Sequence, residues 1–391
     1  MKTKILFLTL ILFIIGCTSS EKKGTQPDDD AIVIDVNSAL KGESRNLEDI
    51  VESVEVIPLE TTEASILGDL KNCIVTDNYI FVNDIYEHYG GLAMFDKNGK
   101  FIKRFKRGNG PEEIISAFKI FYSNDAIYVS SVKMLHKISL DGKFLGSKEC
   151  AMFTSAMKIP DGFLITQSET LNDDDQFKII KTDTNMVKVS EYCLSSNPFL
   201  TNTGIDCFDG VNCLIYRFAD NDIYSFSDDG VKVKYRLSYP DFEYQNPSAE
   251  FENMPMEQRF EASSQLFKKL GEDKYIFVGE LLDSDDYLTV SVVNEDDWTP
   301  VIFNKKTGKT FVKDHQHTEP FSPFTFISRE QYAHLAGRKN TFSGVLSSAF
   351  APECCENNPH NLFSDKDIEI FKNAKEEDNP IVIIYKLKDN L

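Results

Sequence analysis

The sequence predicts an all-β protein: a six-bladed β-propeller of four-stranded antiparallel blades, closed by N- and C-terminal strands and carrying small helical insertions. Three observations lead there. A hairpin pattern returns along the chain every 43 to 45 residues, with turns at Gly99, Gly142, Asn185 and Gly230. A second turn-and-strand pattern recurs between those marks. The chain then ends in an apolar strand, Ile381 to Leu387, and carries a matching alternating strand near its start, Val51 to Glu60.

The hairpins read FDKNGKF (95–101), SLDGKF (139–144), TDTNMVKV (182–189), FSDDGVKV (226–233) and FNKKTGKTF (303–311). Each is an apolar run, a polar turn and a second alternating run, with Gly or Asn expected at the φ > 0 position. The second pattern runs through Asp77–Val82, Asn124–Val129, Pro160–Ile165, Val211–Tyr216 and Asp273–Val278. Each copy places a tight polar turn before a short aromatic and aliphatic strand. Two hairpins per repeat make four strands, the arithmetic of a propeller blade. A β-sandwich gives no reason for a fixed long period.

Blades are expected at 66–111, 114–151, 154–196 and 200–239. The next turn, Gly308, lies 78 residues beyond Gly230. The excess falls in a stretch rich in helix formers, which predicts a helical insertion over about 240–265 before a fifth blade at 266–316. The sixth blade begins near Phe324, where Ser328 with Gln331 and Tyr332 with Leu335 predict a short interrupting helix. A further helix, about 364–377, opens at Ser364, sets Ile368, Phe371 and Ala374 on one face, and stops at Asn379-Pro380. Open sheet edges invite pairing, so the two terminal strands are expected to share one blade.

Ahead of the blades, Lys2 and Lys4 precede an apolar run, Ile5 to Ile15, that ends in Gly16-Cys17. The run has the layout of a signal peptide and is short for a permanent span. Its end resembles the bacterial lipobox, which implies a lipoprotein signal peptide at 1–16 and lipidation of Cys17. Residues 17–31 read as a flexible polar tether and 32–391 as the propeller. The formal net charge is −20, from 62 acidic and 42 basic side chains. Such a surface repels phosphate backbones, so nucleic acid is excluded as a partner, and acyl chains on Cys17 are the expected link to a membrane. Cys73, Cys150, Cys193, Cys207, Cys213, Cys354 and Cys355 have no framework spacing and form no C-x-x-C pair, so buried thiols are expected.

Four segments carry a family likeness: Val56-Ile57-Pro58-Leu59-Glu60-Thr61, Phe95 to Phe101, Arg107-Gly108-Asn109-Gly110-Pro111-Glu112-Glu113, and Asp378-Asn379-Pro380-Ile381-Val382-Ile383. Together they resemble the six-bladed β-propeller lipoproteins of Bacteroidetes, related to NHL-repeat proteins. The resemblance implies that fold and an outer-membrane lipoprotein facing the periplasm or the cell surface; it brings no established activity. Arg107, Gly108, Gly110 and Pro111 lack the Lys-Ser/Thr ending and strand-to-helix setting of a phosphate loop, and read as a structural turn.

No residue is assigned a catalytic, cofactor or metal role. The six histidines (His88, His136, His315, His317, His334, His360) show no ligand spacing beyond His315-Gln316-His317. The acidic runs at 173–175, 283–286 and 295–297 lack the order of a calcium loop and read as solvated connections. Asn304 to Phe311 places Lys where a sialidase-type turn needs Asp, and no G-x-S-x-G elbow occurs. The expected function is therefore a non-catalytic, monomeric binding or scaffolding module for a glycan, peptide or partner envelope protein. The alternative is a carbohydrate-active lyase or hydrolase with its site in the axial funnel, which requires three or more convergent polar side chains on inner strands.

Overall fold

The computed structural model describes residues 23–24, 30–42, 45, 47–68, 70–84, 91–108, 110, 112–114, 117, 119–123, 125–131, 133–167, 177–194, 203–206, 213–217, 220–227, 229–239, 243–244, 258, 274–293, 298–312, 333–335, 340–352 and 362–389. The expected signal peptide, Cys17 and most of the tether lie outside these residues.

The described chain opens with β1 (Lys23–Gly24), β2 (Ile32–Asp35), α1 (Val36–Lys41), α2 (Leu47–Ile50) and β3 (Val51–Pro58). Blade one follows as β4 (Leu70–Val75), β5 (Tyr79–Asp84), β6 (Gly91–Asp96) and β7 (Phe101–Arg104). Blade two is β8 (Lys119–Ser123), β9 (Ala126–Ser131), β10 (Met134–Ser139) and β11 (Phe144–Glu149). Blade three is β12 (Ser155–Ile159), β13 (Gly162–Gln167), β14 (Phe177–Asp183) and β15 (Lys188–Leu194). Blade four is β16 (Thr203–Asp206), β17 (Cys213–Arg217), β18 (Asp222–Ser227) and β19 (Gly230–Ser238). After β20 (Glu243–Tyr244), blade five contains β21 (Lys274–Asp283), β22 (Tyr287–Val293), β23 (Trp298–Asn304) and β24 (Thr310–Val312). β25 (Ala333–Leu335), β26 (Thr341–Leu346), α3 (Asp365–Asn373) and β27 (Ile381–Leu387) complete the chain.

Within blades one to five, successive strands pair antiparallel in sequence order. The first strands β4, β8, β12, β16 and β21 touch from blade to blade at the inner end of each sheet, where β25 and β20 pair beside β4 and β21. Middle strands are buried on both faces, as in Tyr287–Val293, whereas the outer strand β19 alternates buried and exposed positions. Among the described residues the core divides into six apolar clusters, one at each junction between neighbouring blades. One joins blade six to blade one through Ile57, Val382 and Ile384 against Val75, Ile80 and Phe95, so the ring is closed. The protein is a six-bladed β-propeller.

Closure uses both ends of the chain. β27 lies between β26 and β3, and its pairing with β3 runs antiparallel from Ile381 opposite Pro58 to Leu387 opposite Val51. The N-terminal segment also wraps the outside of the ring. β1 pairs in parallel with β15 of blade three, and β2 in parallel with β19 of blade four. Val36 and Ala39 of α1 enter the cluster between blades four and five. Arg45 then donates its backbone N–H to Val312 O at 3.0 Å and stacks its guanidinium 4.6 Å over Phe311 of blade five.

Four details differ from expectation. In the blade-three turn the left-handed residue is Met186 (φ 65°), not Asn185. The equivalent residues are thus Gly99, Gly142, Met186 and Gly230, still 43 to 44 apart. Leu335, assigned to a short helix by pattern, belongs instead to β25, which pairs in parallel with β4 of blade one. Glu243–Tyr244, inside the expected insertion, forms a strand against Lys274–Tyr275; apart from Gln258, the rest of that stretch lies outside the described residues. α3 begins as expected, with Ser364 and Asp367 in a reciprocal capping box, but ends at Asn373 because Ala374 turns extended. No helix among the described residues is long and apolar enough to cross a membrane.

Candidate functional site

Three of the four motif segments meet at one place on the rim of the closing blade. The Asn379 N–H donates to Thr61 Oγ1 at 2.8 Å. Its amide nitrogen donates to Glu60 O at 2.8 Å and Ser65 O at 3.0 Å, while its Oδ1 accepts from Leu67 N at 2.8 Å. The Leu59 N–H reaches Pro380 O at 3.2 Å. Glu60 extends the node to blade one, donating its N–H to Gly99 O and accepting from Phe101 N, both at 2.8 Å. Gly99 is needed there: its φ is +82°, and a Cβ would lie 2.1 Å from Pro58 O.

Beside this node lies a pocket of about 520 Å³. Leu59, Ile370, Ala374 and Ile381 supply aliphatic wall; Lys366, Glu369, Asn373 and Asp378 supply charge and amide. Among the described residues, no aromatic ring lines it. α3 presents Lys366, Glu369, Ile370 and Asn373, residues spaced three or four apart and so on one helical face. The floor is fixed, because Phe371 is fully buried and meets Phe363 edge-on at 5.1 Å. Such a cavity offers an apolar seat with both signs of charge at its margin.

Around the axis, polar groups on the first strands join blades to one another. Asn72 Nδ2 donates to Ile120 O at 3.2 Å, linking blades one and two. Lys119 Nζ donates to Ser155 Oγ at 2.8 Å, linking blades two and three, and that oxygen also accepts Ile205 N of blade four at 3.2 Å. His136 sits farther out, with Nε2 2.9 Å from Ser131 Oγ and Nδ1 2.7 Å from Ser147 Oγ. The trio clips three adjacent strands of blade two together. Burial holds the His136 ring below its ordinary pKa, so the neutral form is favoured.

The Arg107 loop binds itself. The Gly110 N–H donates to Glu113 Oε2 at 2.8 Å, the place a phosphate oxygen would take, and a Cβ on Gly110 would come 2.8 Å from that oxygen. Among the described residues of this loop Gly108 (φ 158°) and Glu112 (φ 67°) have positive φ, a Cβ on Gly108 would lie 2.1 Å from Glu113 Oε2, and Arg107 is exposed. Pro111 lies outside the described residues.

The acidic run at 283–286 corrects the expectation of a solvated connection. Asp286 is 4 % exposed and accepts from Lys306 Nζ at 2.7 Å and Asn340 Nδ2 at 2.8 Å, while Asp283 pairs with Lys305. Lys306, which stands where a sialidase-type turn needs Asp, and its neighbour Lys305 are thus counterions to this run. The runs at 173–175 and 295–297, with His88, His315, His317 and His360, lie outside the described residues; His334 falls on β25. Cys73 and Cys213 are thiols inside apolar clusters, and burial pushes the half-buried Cys150 thiol up to about 11. Among the described residues, no three His, Cys, Asp or Glu side chains converge as metal ligands would.

A family model described as a domain of unknown function, DUF4934, matches residues 31–386. The chain belongs to that family. A candidate exported protein of Bacteroides fragilis shares its fold, with a TM-score of 0.68 and 17 % identity over 92 % of this chain and 100 % of that one. A virginiamycin B lyase from Staphylococcus aureus aligns at a TM-score of 0.40 and 11 % identity, over 68 % of this chain and 75 % of its own. A streptogramin B lyase aligns at 0.40 and 10 %, over 86 % and 97 %. At that level neither lyase bears on chemistry. None of the curated proteins matches the chain significantly. In this DUF4934 chain, sequence patterns marked Asn379 as a helix stop and as part of a family motif, gave it no partner, and missed Asn340 altogether. The available signal was an Asn beside a strand, which says nothing of a partner 54 residues away for Asn340 or 319 residues away for Asn379.

Proposed function

We propose that the protein is a non-catalytic binding or scaffolding module of the cell envelope, anchored by lipid on Cys17 to the outer membrane. The pocket beneath α3 is its ligand seat. The observation that carries this reading is the pocket's lining among the described residues: aliphatic side chains with Lys366, Glu369 and Asp378 at the margin and no aromatic ring. A sugar is held best where a ring can stack on an aromatic face. An aliphatic floor with charges of both signs suits a peptide or a segment of a partner protein instead. Use of inner-strand polar groups as links between blades supports binding over chemistry at the axis.

The test is an array of peptides and glycans probed with the mature full-length chain in detergent, alongside Ala374→Trp, which fills the pocket. Peptide binding that weakens by about tenfold or more in the variant, a change of about 1.4 kcal/mol, is expected. Turnover of a polysaccharide by the chain alone would replace this reading with the carbohydrate-active alternative.

A further inference from the structure

The N-terminal chain fixes which side of the ring faces its anchor. Lys23–Gly24 lies along the outer edge of blade three, opposite Tyr192 and Cys193. Only six residue steps separate Lys23 from Cys17, at most about 20 Å of extended chain. Ile32–Asp35 then follows the outer edge of blade four, opposite Tyr235 to Ser238. Acyl chains on Cys17 would therefore enter a bilayer close to these two rims.

The same rims expose the most aliphatic surface among the described strands and turns. Val187 and Val189 of blade three are 60 % and 59 % exposed, and Ile32 and Val33 on blade four are 47 % and 57 % exposed. Blades one and two each expose a single such residue on the outer strand, Ile102 and Leu145. Lys188, whose ammonium pairs with Glu191 at 3.0 Å, and Lys232 are exposed on the outer strands of the same two blades, and Lys232 offers a favourable pairing with lipid phosphates on a chain whose net charge of −20 otherwise repels them. A short tether also keeps this patch at high effective concentration over the bilayer.

We infer that the rim of blades three and four is a membrane-facing surface. The ring stands on its edge, and both ends of its axis open sideways, along the membrane. This rests on the reading of Cys17 as acylated. It differs from a propeller turning freely on a leash, whose faces would be presented at random.

The natively processed chain, reconstituted in vesicles of phosphatidylethanolamine and phosphatidylglycerol, tests it. Tryptophan is placed on the proposed surface (Val33→Trp, Val189→Trp) or away from it (Ile102→Trp, Leu145→Trp), and quenching by brominated lipid is read against the native Trp298 background. Emission is lost at 33 and 189 and kept at 102 and 145. The unaltered chain gives a second reading: on vesicles Lys232 is protected from a membrane-impermeant amine reagent, and Lys97 on the blade-one turn is not. Equal quenching at all four positions, or equal labelling of both lysines, in an acylated chain overturns the orientation alone. A mature chain whose mass shows an unmodified Cys17 overturns the anchor and the orientation together.

Discussion

Blade two and blade six solve the same packing problem with opposite kinds of chain. Blade two is contiguous: β8 to β11 occupy residues 119–149 and close through tight turns, so each loop costs little entropy. Blade six joins β3, near the start of the chain, to β26 and β27 at its end, with Ile381 opposite Pro58. Turns cannot set a register across that separation. Buried amides do it instead. Asn379 ties β27 to the segment after β3, and Asn340 donates to Asp286 of blade five and to Asp389 beyond β27. A contiguous blade is written by local pattern, and a closing blade by polar groups that are satisfied only when the ring is complete.

The most severe way to break that contrast is to delete Ile381 to Leu391. This removes the middle strand of blade six, leaves β26 and β3 with open edges, and opens the apolar clusters on both sides. Loss of a cooperative unfolding transition is expected by calorimetry. A truncated chain with the full-length melting temperature would show that blades one to five suffice.

A finer cut is Asn379→Ala, compared with Asp141→Ala in the exposed blade-two turn. The first leaves the Leu67 N–H and the Ser65 carbonyl without their amide partner in a buried place, while the Glu60 carbonyl keeps the Ser65 hydroxyl as a donor. Buried groups left unpaired cost about 1–3 kcal/mol each, so a total of about 2–5 kcal/mol is expected from the shift in urea midpoint. The Asp141 change should fall within about 0.5 kcal/mol, as for most exposed substitutions. A cost at Asn379 no larger than at Asp141 would mean that packing alone closes the ring.

The same contrast explains what could be read from residues alone. Blades one to four were legible because each hairpin announces itself within about nine residues, although the feature common to the first three turns is an acceptor as much as a glycine. Asp96, Ser139 and Asp183 each take a backbone N–H of their own turn, and the acceptor is kept in the turn where Met186 stands in place of Gly. Pairing of the terminal strands was also legible, since an unpaired apolar strand at each end leaves little other solution. The Asn379 node, the belt formed by β1, β2 and α1, and the pocket under α3 were not. Each depends on which distant backbone a side chain meets, and no local period encodes that.

The smallest effect tests the contiguous blade from within. His136 is 4 % exposed between Ser131 and Ser147, and burial lowers its pKa from the ordinary 6.5. A base depressed in the folded state is neutral in both states above about 6.5 and adds no pH dependence there. As the pH falls below that value the unfolded chain takes up the proton first, so stability declines, and the decline levels off below the folded pKa. Each pH unit by which burial lowers the ring is worth about 1.4 kcal/mol. Carboxylates also titrate in acid, so the useful quantity is a difference: urea midpoints at pH 7.5 and pH 5 for the native chain and for His136→Gln, which keeps a polar link without titrating. The native chain should lose more stability between the two pH values than the variant. Equal losses would mean that the imidazole charges in place, with the two serines accepting both of its N–H groups. Blade two would then draw on the same adjustable polar bonding as the closing blade, and the distinction between them would narrow to the length of chain each must close.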